Sequence, residues 1–243
     1  MLLHLLAKQE IEISGKDAYG IVLLISPPYR IDGHVSVDGQ PNYAVKGGEV
    51  KLDAVDPIAP GGSVVAQIQA DGSFSISSAD AVTYAIRCVP PAGMYVKSAE
   101  LNGQDALAHY LELGSGVGGG LKILLRPGAA SVSVSKAPES KATDVVLIPD
   151  VWIDSNLTPV VHLVSRGKAF TASGLTPGGY TAVATAGLDA QTYGQAWAND
   201  IFVQEMRSRG TTFSLGEGEQ KVISPPEFNR DEIDGIEFRL GIY

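Results

Sequence analysis

The stretch Gly167-Lys168-Ala169-Phe170-Thr171-Ala172-Ser173-Gly174-Leu175, then Thr176-Pro177-Gly178-Gly179, then Tyr180-Thr181-Ala182-Val183 sets a short β-forming run, a Pro-Gly-Gly turn and a second β-forming run in sequence. Pro cannot donate to a ladder and Gly tolerates the backbone of a tight turn, so the middle segment ends one strand and starts the next. The same layout occurs earlier, where Asp71-Gly72-Ser73-Phe74-Ser75-Ile76-Ser77 leads to Tyr84-Ala85-Ile86. Two bodies of one design are therefore expected in one chain.

A second repeat flanks these bodies. Ile11-Glu12-Ile13 followed by Ile21-Val22-Leu23-Leu24-Ile25-Ser26-Pro27 matches Leu111-Glu112-Leu113 followed by Leu121-Lys122-Ile123-Leu124-Leu125-Arg126-Pro127, at an offset of 100 residues. Phe213-Ser214-Leu215-Gly216-Glu217-Gly218 is a third echo about one period later. Each reads as the closing hairpin of a domain. Turn dipeptides at Asp38-Gly39, Asp71-Gly72, Asn102-Gly103 and Asp234-Gly235 separate runs rich in Val, Ile, Thr and Tyr, the punctuation of an antiparallel β-sandwich. Helical periodicity is scarce: Trp197 to Met206 is one candidate, with Trp197, Ile201, Phe202 and Met206 on one face, and Leu107 to Leu113 is an ambiguous second. The expected fold is all-β: tandem antiparallel sandwiches, transthyretin-like or Ig-like, with an extra N-terminal β-hairpin. Boundaries fall at 1–29 for the closing hairpin of a preceding or truncated domain, 30–128 for the first sandwich and 129–243 for the second. Arg126-Pro127-Gly128 is too short for a free linker, so the sandwiches are expected to touch at a fairly fixed angle.

Composition narrows the function classes. In 243 residues there are 28 Gly and 14 Pro, enough for many turns but short of a low-complexity chain. A formal charge of −9 argues against nucleic acid or an anionic membrane surface as the main partner. The longest uninterrupted apolar run, Ile21 to Ile25, is far too short for a membrane-spanning helix. Cys88 is the only cysteine, which excludes an intramolecular disulfide and a thiolate cluster. It shares the face of Tyr84 and Ile86 and reads as core. The start, Met1-Leu2-Leu3-His4-Leu5-Leu6-Ala7-Lys8, lacks a basic leader and does not read as a convincing signal peptide; the expectation is an export signal on a longer precursor, or a start internal to a larger protein.

Several motifs resemble the carboxypeptidase regulatory-like domains of bacterial surface and secreted proteins. In the first body these are Ile31-Asp32-Gly33-His34-Val35-Ser36-Val37-Asp38-Gly39, Ala70-Asp71-Gly72-Ser73-Phe74 and Pro91-Ala92-Gly93-Met94-Tyr95-Val96-Lys97-Ser98 with Leu101-Asn102-Gly103-Gln104-Asp105. In the second they are Leu147-Ile148-Pro149-Asp150, Ser173-Gly174-Leu175-Thr176-Pro177-Gly178-Gly179-Tyr180 and Gly210-Thr211-Thr212-Phe213-Ser214-Leu215. Two departures stand out: no acidic residue precedes the hairpin glycine in Val164-Ser165-Arg166-Gly167-Lys168-Ala169-Phe170, and Ala129 to Ser140 lacks the opening-strand glycine. The resemblance implies a transthyretin-like sandwich acting as a noncatalytic accessory module, often in series, in an exported protein. It carries no substrate.

No constellation for chemistry emerges. His4, His34, His109 and His162 lack metal-ligand spacing, so no metal and no cofactor are expected. The acid pairs Asp53 with Asp56 and Asp150 with Asp154 lie by turns, where Asp caps more often than it catalyses. Gly114-Ser115-Gly116-Val117-Gly118-Gly119-Gly120 is followed by a strand rather than a helix, which removes the phosphate-cradle reading. Trp152, Tyr193 and Trp197 could stack on sugar faces, with Asp150, Asp154, Gln191, Gln195 and Asn199 hydrogen-bonding; Trp152, Tyr193, Trp197, Asp150 and Gln195 form the candidate carbohydrate site.

The leading expectation is a noncatalytic structural or interaction module of a larger bacterial assembly that is secreted, periplasmic or at the cell surface. Its partners would be other domains or proteins of that assembly, engaged in one version by β-strand addition through residues 1–29. A polysaccharide-binding module is the alternative, and a carboxylate-dependent hydrolase the third reading.

Overall fold

The computed structural model describes residues 15, 19–23, 25, 27–41, 43–45, 47–55, 62–113, 120–135, 139–167, 169–186 and 195–241. The fold is all-β, and among the described residues two longer helices are added near the end. Strands β1 (Tyr29–Val37), β2 (Glu49–Ala54), β3 (Ser63–Gln67), β4 (Ser73–Ala79), β5 (Thr83–Val89), β6 (Met94–Leu101), β7 (Gln104–Asp105), β8 (Leu111–Glu112) and β9 (Leu121–Pro127) form two sheets, ordered β4-β1-β9-β6-β7 and β3-β2-β5-β8. Strands β10 (Ala130–Ser135), β11 (Asp144–Pro149), β12 (Val161–His162), β13 (Val164–Arg166), β14 (Ala169–Leu175), β15 (Gly178–Thr185), β16 (Thr211–Leu215) and β17 (Gln220–Ile223) form two more, β13-β14-β10-β17 and β12-β11-β15-β16, and β18 (Glu227–Phe228) runs parallel to the end of β15. By compactness the described residues divide into one unit drawn from Met1–Val89 with Ser98–Leu124 and another from Pro90–Lys97 with Leu125–Tyr243.

The two pairs of sheets share one scheme. In each, the first strand pairs antiparallel with the strand after a turn glycine (β1 with β4, β10 with β14), the second strand is flanked by the third and by the strand that follows that partner (β2 by β3 and β5, β11 by β12 and β15), and the last strand returns beside the first (β9 by β1, β17 by β10). Inward residues alternate along these strands: Ile31, Val35 and Val37 in β1, and Ala130, Val132 and Val134 in β10, are buried while the residues between are not. Three of the four turn dipeptides sit in turns. Gly39, Gly72 and Gly103 have positive φ, and Asn102 joins Gly103 at φ 55° in the two-residue loop between β6 and β7.

Four expectations are corrected. The supposed closing hairpins of the described repeats are crossovers: β8 pairs with β5 in one sheet while β9 lies between β1 and β6 in the other, and β16 and β17 are likewise split between sheets. Two strands with a turn between them look alike in sequence whether they pair with each other or step across a sandwich. The fourth dipeptide, Asp234-Gly235, lies inside a helix, α2 (Arg230–Leu240). Asn229 caps it, accepting from the Glu232 N–H at 3.0 Å while Glu232 accepts from the Asn229 N–H at 2.9 Å, and Gly241 ends it in the left-handed region. Arg230 and Asp234 form an i,i+4 ion pair at 2.6 Å, and Ile233 and Ile236 face inward. The other helix, α1 (Asp200–Arg209), confirms the helical reading of this region, although Ile201 faces outward and Phe202, Val203 and Met206 are the buried residues. Leu107 to Leu113 holds no α-helix; it contains turns and β8.

The helices explain an unusual sheet. In β11 the run Val145-Val146-Leu147-Ile148 is buried throughout, and β15 is buried from Tyr180 to Thr185, so both faces of this sheet are covered. Val145, Leu147, Tyr180, Ala182 and Ala184 point into the sandwich with Val132, Phe170 and Leu215. Val146, Ile148 and Val183 meet Trp197, Phe202, Met206, Phe228, Ile233 and Ile236 on the other side. The cover is imperfect: the hydroxyl oxygens of Thr181 and Thr185 are buried with no hydrogen-bond partner, each a cost of about 1–3 kcal/mol.

Candidate functional site

The structure buries one of the two tryptophans of the candidate carbohydrate site. Trp197, in a helical turn at 195–197, is 4% exposed. Its ring is met edge-on by Phe202 at 5.2 Å between centroids and by His162 at 6.5 Å. A ring held this way in the core cannot stack on a sugar, and the expectation for Trp197 is corrected accordingly. Trp152 is half-buried against the same apolar cluster. Gln195 is exposed, and Tyr193 and Gln191 lie outside the described residues. Asn199 is spent as the cap of α1, accepting from the N–H groups of Ile201 and Phe202 at 3.0 and 3.1 Å.

Asp150 is held by structure rather than poised for chemistry. Its N–H donates to the Gly179 carbonyl at 2.9 Å, and its side chain lies over Gly179, where a Cβ would collide with it. Arg207 of α1 donates to the Asp150 carbonyl at 2.8 Å and approaches its carboxylate at 3.4 Å. Asp154 accepts from the N–H groups of Asn156 and Leu157 at 2.9 and 2.7 Å, the geometry of a turn cap. Arg207 escaped the sequence reading because nothing local links it to a residue 57 positions earlier.

Elsewhere the ionisable groups serve turns and sheet faces. Asp71 accepts from the Ser73 hydroxyl at 2.7 Å and its N–H at 2.9 Å, and these bonds hold its carboxyl below the ordinary value. On the outer face of the β3-β2-β5-β8 sheet, Asp53 meets Lys51 at 2.8 Å and Arg87 at 3.8 Å and accepts from Ser63. Burial pushes Asp53 up, but the bonds from Lys51 and Ser63 and the two cationic charges outweigh it and leave the carboxyl below its ordinary value. Asp56, the other half of that acid pair, lies outside the described residues. Cys88 is half-buried and burial pushes its thiol up to about 12, so it carries almost no thiolate at neutral pH.

The histidines do not converge. His34 and His109 are exposed, His109 with Nδ1 3.0 Å from the Asp105 carbonyl, and His162 faces the Asp144 carboxylate at 3.3 Å; His4 lies outside the described residues. Among the described residues, no group of three His, Cys, Asp or Glu side chains could hold a metal ion. An open groove of about 510 Å³ borders Asn102, Gln104, Asp105, His109, Tyr110 and Glu112. A second, of about 720 Å³, lies by Ser131, Ser133, Thr171, Val164 and Val222.

No family model matches the chain, and no curated protein matches it. Solved structures are similar to it only distantly, with TM-scores of 0.30 or less. The Bacillus anthracis TIE protein is 10% identical, with a TM-score of 0.30, over 84% of this chain and 38% of that one. The minor pilin GBS52 of Streptococcus agalactiae is 9% identical, with a TM-score of 0.28, over 82% of this chain and 95% of that one. The shaft pilin SpaA of Lactobacillus rhamnosus GG is 12% identical, with a TM-score of 0.25, over 82% and 97%. The chain thus spans little more than a third of the first. Likeness at these identities and TM-scores identifies neither a family nor a role.

Proposed function

We propose that this chain is a noncatalytic structural or interaction module of an exported bacterial assembly, secreted, periplasmic or at the cell surface, of the carboxypeptidase regulatory-like kind that its motifs resemble. One observation carries the reading: a single seven-strand scheme is built twice in series, with only Gly128 and Ala129 between the last strand of one copy and the first of the next. Each copy fills its own interior with apolar side chains, and repetition of such a unit adds length and surface rather than a cleft. The described carboxylates engaged in turn caps, helix caps and ion pairs support the same reading. Its partners are other domains or proteins of that assembly.

Protease treatment of intact cells of the native host tests location, with a cytosolic marker as control. Digestion of this protein while the marker survives is the expected result; protection in intact cells with digestion after lysis would remove the surface reading. Turnover of a glycoside or ester that disappears on substitution of one carboxylate would replace the noncatalytic reading with the hydrolase.

A further inference from the structure

The two-copy scheme leaves one piece of sequence without a place. Residues 21–27 align with β9 at the constant offset, so Ile21, Leu23 and Ile25 stand where β9 has Leu121, Ile123 and Leu125. Those three are exposed to 0%, 1% and 0%, in a strand hydrogen-bonded between β1 and β6. Ile21, Leu23 and Ile25 are exposed to 46%, 58% and 64%, and no ladder holds them among the described residues. The order of parts also repeats. After Pro127 the chain enters β10 at Ala130, and after Pro27 it enters β1 at Tyr29. At the later junction, the strand that ends at such a proline is the last strand of the sandwich before it.

We infer that Ile21–Pro27 is the closing strand of a third sandwich of the same seven-strand scheme, placed in series on the same polypeptide. The partner that covers Ile21, Leu23 and Ile25 is then the open side of that sandwich: the free edge of its first strand, which supplies the ladder, flanked by the apolar inner faces of its two sheets. Alternation along the strand selects which side chains enter, since successive residues point to opposite faces. This inference rests on the serial-module reading above and names the partner of one segment within it.

Two experiments on the full 243-residue chain test it. In the first, Leu121–Pro127 is replaced by the sequence of residues 21–27. A strand evolved for this place should serve there, so the grafted chain keeps one cooperative unfolding transition within several degrees of the parent, whereas a graft shifted by one residue loses it. Failure of the in-register graft overturns the inference. In the second, Ile21→Ser, Leu23→Ser and Ile25→Ser are combined. The expected outcome is unchanged melting and unchanged, monomeric mass in solution, because the partner is neither the described sandwiches nor a second copy. A melting temperature lowered by the triple substitution would assign the segment to the chain's own first sandwich. A parent of dimeric mass that the substitution returns to monomer would assign it to a second copy; either result overturns the inference. Neither readout depends on cell location, so a failed graft leaves the surface reading standing, and a cytosolic location leaves the graft result standing.

Discussion

Two sheets occupy the same place in the repeated scheme and have opposite outer faces. With Tyr84 aligned on Tyr180 by strand register, Lys51, Asp53, Ala85 and Arg87 of the first copy correspond to Val146, Ile148, Thr181 and Val183 of the second. The inward sets are alike in character: Val50, Leu52, Tyr84, Ile86 and Cys88 answer to Val145, Leu147, Tyr180, Ala182 and Ala184. The first copy thus presents an ion-paired face, and the second an apolar face roofed by α1 and α2. The scheme specifies one face of each sheet and leaves the other free. The segments after β5 and β15 differ to match: one copy continues into strands β6 and β7, the other into the stretch carrying α1.

The sharpest way to break this comparison is to exchange the outward residues. Val183→Arg places a charge where Val183 is fully buried under the helices, with no carboxylate at the Asp53 position because Ile148 stands there. Chemical denaturation should show a loss of about 3–5 kcal/mol or more. Arg87→Val, the reverse exchange, should cost within about 1 kcal/mol, since Arg87 is part-exposed at 3.8 Å from Asp53 and Lys51 remains. Equal losses in the two variants would mean that the helical roof does not distinguish the faces.

A smaller effect is expected at the opening strands. Gly33 faces Phe74 across the β1–β4 ladder, and a Cβ at Gly33 would lie 2.1 Å from the Phe74 ring and 2.6 Å from the Leu121 carbonyl. The matching pair in the second copy is Val134 and Phe170. Gly33→Val should therefore destabilise the chain by about 1–3 kcal/mol through overpacking, even though Val is the residue used at the equivalent position. Unchanged thermal melting would show that Phe74 can take the arrangement of Phe170.

The smallest effect concerns the paired tyrosines. Tyr180 donates to the Thr176 carbonyl at 2.7 Å, and the Tyr84 hydroxyl accepts from the Asp80 N–H at 2.9 Å, each reaching back four residues. Tyr180→Phe and Tyr84→Phe should each cost about 0.5–1.5 kcal/mol at neutral pH. Burial pushes Tyr180 up to about 12 from an ordinary value of 10.0, so the folded state keeps its proton where the unfolded chain has released it. Stability from this group is full below the ordinary value and falls as pH rises toward about 12. Equilibrium unfolding across that interval should show a decline that Tyr180→Phe reduces; an identical decline in the variant would place its origin elsewhere.

Much of the fold was legible because turns and alternation are local. Asp71-Gly72 and Asn102-Gly103 both mark positive-φ turns, the second of them a hairpin, and Asp71 caps its own turn through Ser73. The helix at 230–240 had local signals as well, since Asn229 with Glu232 is a capping box and Gly241 a C-terminal stop, but Asp234-Gly235 outweighed them as a turn sign. The candidate sugar site misled for another reason. Whether Trp197 faces solvent depends on a sheet face some fifty residues earlier in the chain, and the run Val145-Val146-Leu147-Ile148, apolar at every position, was its only sequence trace.

Strand-forming runs, turns and the recurrence of a β-built body come from the chain's own order of residues, because backbone preference and side-chain alternation act over a few positions. Pairing of β8 and β9 with different sheets, the covering of one outer face by α1 and α2, and the sequestering of Trp197 were decided only in three dimensions. Each depends on apolar surfaces meeting across long sequence separations, and burial of that kind is a property of the assembled sheets rather than of any segment alone.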